Sequence, residues 1–193
     1  DVTYEIDKTT KVGAYYMDAK NVFSAVGAKV EAEVSGLGVV GKYATTSEDA
    51  ANTATNGVNG SIMALDLSYS IGEIALNGGY ISTDKDGAIG SLDTLGDNIS
   101  PLDTGNYVYG TDAKTLYVGA STTVGGFELG GIYGTTSYDN SGASEKESEL
   151  NLTASWECKL LKNLKMSALY ANISAESAND DSSYYSLQAV YSF

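Results

Sequence analysis

The 193-residue chain contains no histidine, no arginine, one cysteine and one proline, and each shortage removes a class of function. Without histidine there is no His-based triad and no His-ligated metal. A lone Cys158 can form no internal disulfide and no paired-cysteine zinc site, and it reads as a small apolar strand residue. A net charge of -14, with eleven lysines as the only basic side chains, gives no basic surface to neutralise phosphates, so a nucleic-acid partner is not expected. No apolar run approaches the roughly 18 residues of a spanning helix. That leaves open a spanning strand, which needs only every second residue to be apolar and is compatible with a near-neutral mean hydropathy.

The residues that are abundant favour strands and tight turns. There are 22 glycines and 15 tyrosines, with many Ser, Thr, Ala and Val. The clearest alternation runs from Leu150 to Leu160, where Leu150, Leu152, Ala154, Trp156, Cys158 and Leu160 share one face and Glu149, Asn151, Thr153, Ser155, Glu157 and Lys159 share the other. Val26 to Val34 and Met63 to Ile71 repeat the pattern. Less regular versions occur at Val2 to Asp7, Lys11 to Met17, Leu37 to Thr45, Ile74 to Thr83, Thr115 to Val124, Phe127 to Ser137, Leu164 to Ala175 and Tyr184 to Phe193. In the segment from Leu164, Leu169 and Ile173 compete with Met166, Ala168 and Tyr170 for the apolar face, and the latter three are assigned to lipid.

About eleven strands result, most near the roughly 9–11 residues that cross a bilayer at a tilt. Short turns at 8–10, 35–36, 72–73, 125–126 and 161–163 alternate with longer polar connections around 46–60, 84–114, 138–145 and 176–183, with 18–24 the brief exception. Short turns at one end and long loops at the other characterise outer-membrane barrels. The expected fold is therefore all-β: an antiparallel transmembrane β-barrel formed as a single domain over residues 1–193, in the bacterial outer membrane. A strand count that is odd when traced back from a descending last strand is what a chain missing its leading strands would give, so the C-terminal part of a longer barrel of roughly 16–18 strands is expected, the alternative being a complete barrel of about ten or twelve strands.

The whole chain resembles the C-terminal portion of the major outer membrane porins of Campylobacter and its relatives, similar in architecture to the OprD-type channels. The resemblance is carried by the tyrosine-rich strands, by Pro101-Leu102-Asp103-Thr104-Gly105-Asn106-Tyr107-Val108-Tyr109-Gly110 running into residues 113–120, and by the terminal Tyr191-Ser192-Phe193. It implies a trimeric, cation-preferring diffusion pore, with the inward-folded constriction loops largely outside this chain. The lack of arginine departs from the basic lumen rows of anion-preferring relatives.

Period two places Glu5, Asp7, Glu31, Glu33, Asp66, Glu128, Glu149 and Glu157 on the inward face with Lys11, Lys29, Lys42, Lys159 and Lys165. Of these, Glu31, Glu33, Lys29, Asp66, Glu128, Glu149, Glu157 and Lys159 are the candidate pore-lining residues. The excess of acid would enrich cations in a narrow aqueous pore, unless the carboxylates merely pair with cross-strand lysines. No catalytic residue, metal ligand or cofactor is expected. The expected partners are outer-membrane lipid, small hydrophilic solutes and cations. The acidic segments at 84–112 and 180–181 lack a complete calcium-loop spacing and read as solvated loops. Two other readings suit the same composition: an acidic surface or S-layer-like structural protein, and a barrel adhesin that uses the 84–114 loop for contact.

Overall fold

The computed structural model describes residues 1–48, 59–85, 87, 89, 99–105, 107–158, 161, 163–176 and 181–192. Lys159, Leu160, Asn106 and Phe193, named above, lie outside the described residues, as do Asp86, Asp93, Asp97 and Asp180 of the acidic segments. Among those described are eleven strands: β1 (Val2–Glu5), β2 (Thr10–Ala19), β3 (Phe23–Val34), β4 (Leu37–Glu48), β5 (Ser61–Ile71), β6 (Ile74–Thr83), β7 (Lys114–Val124), β8 (Phe127–Asn140), β9 (Ala143–Glu157), β10 (Leu164–Ala175) and β11 (Ser182–Tyr191). They form one sheet in chain order, each antiparallel to its sequence neighbour.

The register sorts side chains into two faces. One carries Val26, Val30, Tyr43, Leu65, Leu67, Leu116, Val118, Tyr133 and Leu152, all exposed although apolar. In water such a continuous greasy surface would be an aggregation liability; against hydrocarbon it is the required exterior. Met166 pairs with Trp156 and Tyr170 with Leu152, so the assignment of Met166, Ala168 and Tyr170 to this face holds.

The outward tyrosines also record the strand tilt. Tyr16 is level, through Val26, with Thr45, two residues above Tyr43; Tyr43 is level, through Met63, with Ser82, two residues above Tyr80. The same step leads from Tyr80 through Leu116 and Thr135 to Tyr133. If these rings mark one membrane interface, the register slips one residue per strand. With a rise of about 3.3 Å per residue and a spacing of about 4.8 Å between strands, that slip corresponds to a tilt of roughly 35°, within the range of membrane barrels.

Turns at the short end are tight because their residues accept positive φ. Ser35-Gly36 has φ of 53° and 81°, and Gly125-Gly126 has 60° and 89°, the mirror-image geometry that matches strand twist. The β8–β9 connection differs from expectation. Residues 138–145, read as a polar loop, are mostly strand: Asn140 pairs with Ala143 around a two-residue Ser141-Gly142 turn. Polar residues on both faces hid these strands, which rise beyond the apolar belt.

A second departure concerns the β6–β7 connection. Instead of lying outside, its residues 99–105 and 107–113 fold onto the inward face. Ile99, Leu102 and Val108 are buried there with Phe23, Ala25, Ala44, Ile62, Ala64, Ile81 and Tyr117 from the wall. An inward-folded segment is thus present in this chain.

Candidate functional site: the inward face and its crossing segment

Along the β1–β5 wall, charged side chains form a lateral strip. Lys11 bridges Glu5 at 2.8 Å, Lys29 bridges Glu31 at 2.6 Å, and Lys42 bridges Asp66 at 3.4 Å. Lys29 and Lys42 are cross-strand partners, as are Lys11 and Glu31. Tyr117 donates to Asp66 from across Gly79, where an added Cβ would lie 2.4 Å from the Leu65 carbonyl and 2.5 Å from the Tyr117 hydroxyl oxygen. Glycine at 79 therefore makes room for the ring that reaches Asp66.

Near the short-turn end, Glu128 accepts from Ser155 at 2.5 Å and from Lys165 at 3.2 Å. Glu157 is the register partner of Lys165 on the same exposed rim. A groove of about 710 Å³ lies above this rim. Its inward-facing lining is rich in hydroxyls, including Ser121, Thr153, Ser155, Ser167 and Ser186, and it reaches Asp103 on the crossing segment.

Glu149 is different. It is 1% exposed, covered by the crossing segment rather than open to the interior. Its Oε1 accepts from the Thr104 amide at 2.9 Å and from Asn151 Nδ2 at 2.8 Å, and its Oε2 accepts from the Gly105 amide at 2.8 Å. The Asp103 amide donates to Asn151 Oδ1 at 3.0 Å. Leu102 sits over Gly134, and the Tyr107 ring stacks on Tyr138 at 3.8 Å. Partial desolvation of the Asp103 carboxyl, followed by repulsion from Glu149, holds its pKa above the usual carboxylate value.

The sequence-derived site residues are therefore dispersed. Glu31, Lys29 and Asp66 belong to the lateral strip, with Lys42 between them; Glu33 lies lower on β3; Glu128 and Glu157 share the rim; Glu149 is an anchor; and Lys159 lies outside the described residues. Asp7 is in the β1–β2 turn and not on a strand. There it accepts from the Thr9 amide and hydroxyl, both at 2.8 Å, which lowers its pKa. Sequence reasoning missed Asn151, Tyr117 and the inward segment. The available signal was Ile99, Leu102, Val108 and Tyr109, apolar or aromatic residues set in an otherwise acidic connection.

A sheet with an apolar exterior, a polar and charged interior, tight turns at one end and a connection folded inward defines a membrane β-barrel of the outer-membrane class. The chain belongs to the Gram-negative porin family, whose sequence profile matches residues 28–193, and so to the bacterial outer membrane. No curated protein matches it by sequence. Among solved structures it is similar in fold to OccK8 (OprE) of Pseudomonas aeruginosa, with 14% identity, a TM-score of 0.80, and coverage of 98% of this chain and 55% of that one. OccAB4 of Acinetobacter baumannii gives 14% identity, a TM-score of 0.78, and coverage of 97% and 49%. OccK1 (OpdK) of Pseudomonas aeruginosa gives 19%, 0.80, and 98% and 54%. The chain thus spans about half the length of the structures it matches.

Proposed function

We propose that this chain forms part of the wall of a passive channel, admitting small hydrophilic solutes and ions across the outer membrane with a preference for cations. The observation that carries the reading is the division of faces: apolar side chains outward, and hydroxyls and ion pairs inward around a groove that reaches the crossing segment. Diffusion through such a passage needs no reacting group, so an enzymatic role is not part of the proposal.

Cation preference is supported by the inward acids outnumbering inward lysines, since low-dielectric walls focus that excess into the water between them. Much of the charge is paired, at Lys29–Glu31, Lys42–Asp66 and Lys165–Glu128, so the bias should come from carboxylates without a lysine bridge among the described residues, such as Glu33 and Glu157. Within the family, the finer reading is a likeness to the Campylobacter-type major porins, supported by the tyrosine-rich strands, and a homotrimer goes with it. Cross-linking in mild detergent tests the trimer.

The channel is tested by reconstitution into planar bilayers under a salt gradient. The expected result is ion conductance with a cation-selective reversal potential, moved toward zero by Glu33→Gln and Glu157→Gln combined. An unmoved potential would remove these carboxylates from the account, and absence of conductance would remove the channel.

A further inference from the structure

The channel reading leaves one inward carboxylate without a task, because Glu149 is buried away from any passing ion. Burying a carboxylate is costly unless its lone pairs are satisfied, and here they are met by groups from a segment 44 and 45 residues away in sequence. The contact has an unusual form. Three successive backbone amides, of Asp103, Thr104 and Gly105, converge on the side chains of Glu149 and Asn151. Gly105 has a φ of 53°, which helps turn the chain so that these N–H groups form a concave anion-binding nest. The anion in the nest belongs to the wall. Asn151 closes the arrangement by donating to Glu149 with its amide nitrogen while accepting with its oxygen.

We propose that Glu149 and Asn151 are positioning residues: a wall-mounted latch that grips the backbone of the crossing segment and thereby sets the width of the passage. The inference rests on the channel reading and deepens it. Gripping backbone fixes where the segment lies while leaving the exposed Asp103 side chain free to face solutes. Apolar packing of Leu102 over Gly134 and stacking of Tyr107 on Tyr138 bring the segment to the wall, but neither fixes its height as three directed hydrogen bonds do.

The test uses the full chain in bilayers together with limited proteolysis in detergent. Loss of one charge-assisted hydrogen bond carries roughly a tenfold factor, so Glu149→Ala should raise the undocked fraction at least about tenfold. This would be read as faster cleavage within the segment and as higher, noisier single-channel current. Glu149→Gln keeps one acceptor oxygen and should fall between Glu149→Ala and the parent.

A second arm separates positioning from folding. An added Cβ at Gly134 would lie 2.8 Å from Leu102 Cδ1, so Leu102→Cys with Gly134→Cys, in a Cys158→Ser background, can lock the segment by a disulfide. Oxidation of that pair in the Glu149→Ala protein should return conductance and protease resistance to parental values, and reduction should abolish the recovery. Parental conductance and cleavage in Glu149→Ala, or no recovery on oxidation, overturns the latch. If the parent itself conducts nothing, the channel reading and the claim about width both fail, and the cleavage rates still decide whether Glu149 holds the segment.

Discussion

Asp103 on the crossing segment and Glu149 on the wall place two carboxylates near one another, and among the described residues the second has its charge answered by amides. Because the folded pKa of Asp103 is raised, the docked segment binds that proton more tightly than the free segment does. Its contribution therefore favours docking as pH falls through the range just above the ordinary carboxylate value, and opposes docking above it. Asp103→Asn should accordingly slow protease cleavage of the segment at neutral pH and flatten the pH dependence of cleavage. Faster cleavage would show that the repulsion is not felt. Asp7 has the opposite sign. Its lowered pKa makes its turn contribution complete above the ordinary aspartate value and lost as pH falls through the folded value, so the protection of the Thr9 amide, its exchange rate relative to the unprotected rate at the same pH, should fall in acid, and less so in Asp7→Asn. At Gly79, alanine would collide with the Leu65 carbonyl and force the Tyr117 ring from Asp66. Overpacking of this kind costs about 1–3 kcal/mol, measurable by denaturant unfolding in lipid vesicles, with an unchanged midpoint counting against the fit described.

At the level of strands, the sequence was legible wherever one face met hydrocarbon. β3, β5 and β9 alternate strictly because a one-residue slip would turn every greasy side chain into the interior. Their faces, their neighbours and the eleven-strand count followed from that constraint. It lapses above the apolar belt, where Tyr138, Asp139 and Asn140 meet water on either face, and there the upper part of the β8–β9 hairpin passed for a loop. The same reasoning yields a paired test. Leu67→Lys on the outward face of β5 should cost about 2–4 kcal/mol if its position is near the midplane, whereas Ser68→Lys, one residue on and facing inward, should leave stability nearly unchanged. Equal costs at the two positions would contradict the assignment of faces. The crossing segment was not legible for another reason. Ile99, Leu102 and Val108 follow no period, and the groups they approach lie on strands far along the chain, so no local window contains the contact.

Taken whole, the molecule sorts its charges by place: a lateral strip of bridged lysines and acids on β1–β5, a rim with Glu128, Glu157 and Lys165 at the short-turn end, and the buried Glu149 on β9. Selectivity arising from the interior field should decline with ionic strength, because the screening length shrinks from about 10 Å at 0.1 M to about 3 Å at 1 M. Reversal potentials measured at the same salt ratio over that range should therefore fall toward zero; a constant value would point to sieving by size. The order of the strands has a consequence for biogenesis. Since every strand pairs with its sequence neighbour, the sheet can zip up hairpin by hairpin with little loop-closure entropy to overcome at each step. The crossing segment does not share that locality: it precedes β7 in the chain, yet the carboxylate that receives its amides is on β9. Its docking therefore requires β7, β8 and β9 to be paired first.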